Sequence, residues 1–308
     1  MLEHGRIALN GFEFTYLAAG PPDGEAVILL HGFPQFADVW TSLLSELGSR
    51  GFRAVALDQR GYSAQARPLQ IEAYNVAELT SDVIALADSF HWPTFHVIGH
   101  DWGGFLAWRL AAKHPDRIQT LTVLSAAHLD AFLEAFAFDP DQKARSQYIQ
   151  LFRMPGQVAE AMLLKGDAAP LRGVFRGKIS EEQIAKIVQR LMKPGALTAT
   201  LNWFRALDLG ARIGPVATPT LYIWGDKDMA IGRAAAEATQ CYVSGEYHFE
   251  VLPGYSHWLQ DEALAIVRDL VLGHIGEPCK SHRQRETGGI AQALQSPTVI
   301  KVTGGLPA

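Results

Sequence analysis

Three side chains of this sequence could together attack a carbon atom and then release it. The first is Asp101, in the stretch Gly99-His100-Asp101-Trp102-Gly103-Gly104. A strand followed by this glycine pattern and a helix makes a sharp turn that pushes the central side chain into the open. The positive N-terminus of the following helix favours an ionised carboxylate there. Such a carboxylate needs no base to attack, and it suits displacement at a saturated carbon, forming a covalent alkyl ester. The second is His257, in Gly254-Tyr255-Ser256-His257-Trp258, which can take a proton from the water that hydrolyses that ester. The third is Asp228, in Gly225-Asp226-Lys227-Asp228, which can orient the imidazole. Asp226 is its near rival, and Asp130 a more remote one.

An anion site is also expected. His31-Gly32-Phe33-Pro34 follows an apolar run, and the backbone N–H groups of Phe33 and Trp102 would form an oxyanion hole. His31, Pro34 and His100 are taken as positions facing the substrate. No Gly-x-Ser-x-Gly occurs in the chain, which argues against a serine esterase.

These residues need a scaffold that brings the ends of separate strands together. The runs Ala26–Gly32, Arg53–Asp58, Phe95–His100, Thr120–Ser125, Pro219–Asp226 and Tyr247–Gly254 are short, apolar and end in loop residues, as buried strands do. Leu79, Val83, Leu86 and Phe90 recur at helical spacing between two of them. This alternation implies an α/β fold, a mostly parallel sheet flanked by helices. Residues 1–129 and 214–275 would form that core.

From 130 to 213 helices are expected and no strand. Ser180-Glu181-Glu182-Gln183 reads as a capping box, with Ile179 and Ile184 placed as a hydrophobic staple. Lys193-Pro194-Gly195 ends that helix. An all-helical insertion of this kind is expected to cap the active site and exclude water. A final helix is expected from Trp258 to about Gly273. The tail, 276–308, is rich in Gly, Pro and polar residues and is expected to be poorly ordered.

Composition narrows the function classes. The 308 residues carry a net charge of −5 with both signs interspersed, which gives no nucleic-acid surface. No apolar run is long enough to span a bilayer, and the start has no signal-peptide core, so a cytoplasmic location is expected. Two cysteines, Cys241 and Cys279, make neither a disulfide framework nor a metal cluster. No metal or organic cofactor is implied, and the expected assembly is a monomer or homodimer.

Taken together, "HGFPQ", "DQRGYS", "GHDWGG", "LNWFRA", "GDKD" and "GYSHW" resemble the epoxide hydrolases of the α/β-hydrolase fold, relatives of haloalkane and fluoroacetate dehalogenases. The resemblance spans roughly Gly11 to Gly273. It implies an Asp nucleophile and a helical cap, and two cap tyrosines that protonate the ring oxygen. Tyr148 resembles the first of these. The second should be the third residue of Asn-Trp-Tyr, but the chain reads Asn202-Trp203-Phe204. Phe204 and Trp203 are taken as substrate-facing, although adjacent helical residues point about 100° apart. The resemblance thus implies opening of a small hydrophobic epoxide to a vicinal diol. Haloalkane dehalogenation is the alternative, with Trp203 as a second halide donor. A non-catalytic binding protein on the same fold is the alternative outside enzymes.

Overall fold

A computed structural model describes residues 2–276 of the chain. Eight strands form one sheet: β1 (Glu3–Leu9), β2 (Phe12–Ala19), β3 (Glu25–Leu30), β4 (Phe52–Leu57), β5 (Phe95–His100), β6 (Ile118–Leu124), β7 (Thr220–Gly225) and β8 (Tyr247–Leu252). Their spatial order is β1-β2-β4-β3-β5-β6-β7-β8. β1 and β2 pair antiparallel to their neighbours, and β4 onward runs parallel.

The central strands read as unbroken apolar runs because both faces of the sheet are covered. Along β3 the side chains alternate between two cores. Val27 and Leu29 pack with Leu43, Leu44, Val267 and Val271, from helices α1 (Thr41–Ser49) and, at the chain's end, Leu264–Ile275. Ile28 and Leu30 point the other way, into a core with Leu79, Val83, Leu106 and Leu110. Those four lie on α2 (Val76–Ser89) and α3 (Trp102–Lys113).

Between β6 and β7 the chain forms helices α4 (Leu129–Phe138), α5 (Pro140–Arg145), α6 (Gln147–Phe152), α7 (Val158–Leu163), α8 (Lys165–Gly173), α9 (Glu181–Leu191) and α10 (Ala196–Arg205). The capping box at Ser180 and Gln183 begins α9, and Gly195, with φ of 72°, lies in the turn after it. Both ends of this insertion are tied together. The buried Asp130 carboxylate accepts the N–H groups of Ile213 and Gly214, each at 3.0 Å. His128 adds a bond from Nε2 to the Gly214 carbonyl.

After β7 come α11 (Arg233–Ala238), α12 (Leu259–Glu262) and α13 (Leu264–Ile275). The final helix expected from Trp258 is therefore two helices, parted at Ala263, whose φ of −125° leaves the helical range. Beyond Gly276, the expected tail lies outside the described residues. Among the described residues no helix is long and apolar enough to cross a membrane.

Candidate active site

The loops after β3, β5, β7 and β8 meet at the C-terminal edge of the sheet, where parallel α/β sheets build their sites. Asp101 stands directly between β5 and α3 in an uncommon backbone conformation, φ 52° and ψ −120°. A non-glycine residue at positive φ is strained, and this conformation aims the carboxylate out of the turn. The turn is possible because Gly103 has no side chain: a Cβ there would lie 2.2 Å from the Leu30 carbonyl oxygen. Gly32 has a more direct link to the carboxylate. A Cβ on it would lie 2.3 Å from Asp101 Oδ1.

The two oxygens of Asp101 have different surroundings. Oδ1 accepts the Phe33 N–H at 2.8 Å. Oδ2 lies 3.5 Å from His257 Nε2. The backbone N–H of Trp102, at the start of α3, also favours the charged carboxylate. Burial works against the charge on Asp101, but the facing His257 and this N–H outweigh it and hold the pKa below the ordinary value of 3.8.

On the far side of the imidazole, His257 Nδ1 lies 3.0 Å from both carboxylate oxygens of Asp228. Asp228 is fully buried, and its Oδ1 also accepts the N–H groups of Ala230 and Ile231. Arg145 donates to its backbone carbonyl. The rival Asp226 instead accepts the Gly254 N–H at 2.7 Å, and Asp130 is occupied at the base of the insertion. Burial alone would lower the His257 pKa, but the charge of Asp228 and the bond to Asp101 raise it to about 10. The imidazole thus sits between the carboxyl groups of Asp101 and Asp228, an arrangement that favours its protonated form.

A cavity of about 360 Å³ opens on Asp101 and His257. Its walls come from both the sheet loops and the helical insertion, and they include Phe33, Tyr148, Phe152, Phe204, Met229 and Trp258. Arg145 and Arg176 line it as well. Tyr148 and Phe204 meet nearly edge-on, with ring centroids 6.1 Å apart. No hydrogen bond engages the Tyr148 hydroxyl among the described residues. Burial, then the charges of Asp101 and Asp228, push the Tyr148 pKa well above that of a free phenol.

Four positions expected to face substrate do not line this cavity. Trp203 turns away from it and spends its indole N–H on the Arg60 carbonyl at 2.8 Å, as the 100° offset from Phe204 requires. His31 is fully buried and accepts the Gln59 N–H at Nε2, with Tyr62 edge-on against its ring. Burial lowers its pKa to about 4, so it is neutral. Pro34 follows Phe33 through a cis peptide bond, in the turn behind the Phe33 N–H. His100 lies beneath His257 rather than in the cavity, with Nε2 2.9 Å from the His257 carbonyl. Conversely, Met229 and the two arginines are not legible in the sequence as wall residues, because loops and short helices with no distinctive motif carry them.

The α/β-hydrolase fold profile matches residues 25–264. The chain is 32% identical to epoxide hydrolase 3 of Xenopus tropicalis, over 91% of this chain and 80% of that protein. It is 33% identical to epoxide hydrolase 4 of Mus musculus, over 88% of this chain and 79% of that protein. It is equally similar to the AB hydrolase superfamily protein YfhM of Bacillus subtilis, 33% identical over 86% of this chain and 95% of that one. Among solved structures, one of the novel epoxide hydrolases from metagenomes of hot environments superposes with a TM-score of 0.81. It is 27% identical, covering 90% of this chain and 99% of that one. The chain belongs to the α/β-hydrolase fold family and, within it, groups with the epoxide hydrolases.

Proposed function

We propose that this protein hydrolyses epoxides to vicinal diols through an ester on Asp101. The observation that carries the reading is the division of labour at Asp101, with Oδ1 held by the Phe33 N–H and Oδ2 facing His257 and the cavity. Oδ2 attacks an epoxide carbon, the ring C–O bond breaks, and the Tyr148 hydroxyl gives its proton to the departing oxygen. The raised pKa keeps Tyr148 protonated, as a donor must be.

Alkylation removes the charge of Asp101, one of the two charges that hold the proton on His257. The imidazolium then gives up that proton, which by way of solvent restores the Tyr148 phenolate to a phenol, and the neutral imidazole serves as base. It takes a proton from water, which attacks the Asp101 carbonyl carbon. The negative oxygen that forms is Oδ1, already bonded to the Phe33 N–H, with the Trp102 N–H as its second donor in this proposal. Collapse breaks the bond to the original Oδ2, which takes the proton from His257 and leaves as one hydroxyl of the diol, while the proton on the newly added oxygen passes back to His257 and leaves Asp101 ionised. Asp228 holds the imidazole and its charge throughout.

Helices between 130 and 213 act as the cap, and the aromatic lining of the cavity suits a small hydrophobic epoxide. Haloalkane dehalogenation has less support, because Trp203 has its indole N–H engaged away from the cavity. A pure binding protein would have no use for the Asp101–His257–Asp228 row. Diol formation from styrene oxide and from an aliphatic epoxide, against Asp101→Ala as blank, tests the reading. Diol above the blank supports it, and failure of both substrates contradicts it.

A further inference from the structure

Gln35, the last residue of the "HGFPQ" motif, belongs to a chain of buried polar groups that the reaction above does not use. Its side-chain Nε2 donates to Asp261 Oδ2 at 2.9 Å. Its Oε1 accepts from Gln260 Nε2. The same Gln260 nitrogen lies 3.2 Å from His100 Nδ1. His100 Nε2 in turn lies 2.9 Å from the His257 carbonyl. Gln35, Gln260 and His100 are all buried. Gln183, the capping-box residue of α9, reaches the other oxygen of Asp261 at 3.4 Å.

A carboxylate can only accept, and the same holds for the His257 carbonyl at the other end; between them they set the direction of every bond in the chain. Facing Asp261, Gln35 must present its nitrogen, which turns its oxygen toward Gln260. Gln260 must then present its own nitrogen, whose second hydrogen points to His100 Nδ1. His100 therefore carries its single proton on Nε2 and donates it to the His257 carbonyl. Burial lowers the His100 pKa to about 3, so the ring is neutral and has one tautomer to choose. Burial raises the Asp261 pKa to about 6, which leaves it an ionised acceptor at neutral pH and above.

The two ends of this chain hold two parts of the catalytic apparatus. Gln35 closes the turn with Gly32, N to O at 2.9 Å, that presents the Phe33 N–H to Asp101. His100 holds the backbone of His257. We propose that Asp261 is a positioning residue for the hydrolytic step, polarising this chain so that the oxyanion turn and the base loop keep their registers. The proposal rests on the reading of Asp101 as nucleophile and His257 as base.

Oxyanion support matters most when water attacks the ester, so the effect should fall on hydrolysis rather than alkylation. Single-turnover reactions of the full-length protein with styrene oxide, acid-quenched and weighed by mass spectrometry, separate the two rates. Active-site titration by ester formation counts only folded, competent molecules. For Asp261→Leu and Gln260→Leu we expect ester hydrolysis per active site to slow at least tenfold, with alkylation changed less than threefold. Rates per active site within twofold of wild type, or both steps slowed alike, would overturn the proposal. Absence of any ester in the wild type would instead sink the reading of Asp101, and this proposal with it. Should both variants fail to fold, ring ¹⁵N spectra of the wild-type histidines, with His100→Gln to identify the signal, decide the matter. The proposal requires neutral His100 protonated on Nε2, and a proton on Nδ1 contradicts it.

Discussion

His257 Nε2 stands 3.5 Å from Asp101 Oδ2, close enough that each charge maintains the other. Loss of one charge must therefore change the proton affinity of its partner. This makes the pH dependence of the two chemical steps differ.

Alkylation needs Asp101 ionised, and its pKa lies below the ordinary 3.8, so this step should persist as the pH falls well into the acid range. Ester hydrolysis needs His257 neutral. In the unreacted site its pKa is about 10, and in the ester form, without the Asp101 charge, it must be lower. We expect hydrolysis to fall about tenfold per pH unit below that second pKa. Ester should then accumulate in acid-quenched samples at low pH and not at high pH. Rapid-quench kinetics across the pH range measure this, and parallel loss of both steps would contradict the coupling.

In the proposed reaction the phenylalanine at 204 leaves Tyr148 as the tyrosine donor among the described residues of the cavity. Tyr148→Phe should reduce kcat/KM for epoxides by about 10²- to 10⁴-fold, the usual contribution of a general acid. Phe204→Tyr adds a hydroxyl to a ring that already lines the cavity beside Tyr148. One further hydrogen bond to the opening oxygen is worth about 1 kcal/mol, so kcat/KM should rise roughly fivefold. Steady-state kinetics on styrene oxide check both variants. Unchanged activity in Tyr148→Phe would show that Tyr148 is not the acid.

Asp130 is the carboxylate with a purely structural task. Asp130→Ala strands the buried N–H of Ile213, at about 1–3 kcal/mol, and the partly buried N–H of Gly214, at less. We expect a lower midpoint in urea unfolding with little change in kcat for the molecules that remain folded. Loss of activity at unchanged stability would show that Asp130 works in the site instead.

How legible each part is in the sequence follows from its physics. Strands β3 to β8 stand out because most are buried on both faces and so read as apolar runs. β1 and β2 do not. β1 is an edge strand with most of its side chains exposed or half-buried, and β2, though paired on both sides, is broken by Glu13 and Thr15 before its buried end at Leu17, Ala18 and Ala19. Their signal is Asn10-Gly11, where φ of 48° and 83° makes the kind of tight hairpin turn this dipeptide favours. Asp101, Asp228 and His257 are legible because each follows a recognisable strand. Gln35, Gln260 and Asp261 do not read as a group. They are ordinary polar residues whose connection exists only once positions more than 200 residues apart are brought together. His100 passes for a substrate contact in the sequence for the same reason, since its true partner is a carbonyl far along the chain.

The central claim is the ester on Asp101, and oxygen labelling tests it most directly. A single turnover of excess enzyme with epoxide in ¹⁸O-water should yield unlabelled diol, because the new hydroxyl comes from Asp101 Oδ2. The label should appear in the peptide that contains Asp101. Labelled diol with an unlabelled Asp101 peptide would mean direct attack by water on the epoxide, and would contradict an Asp101 ester.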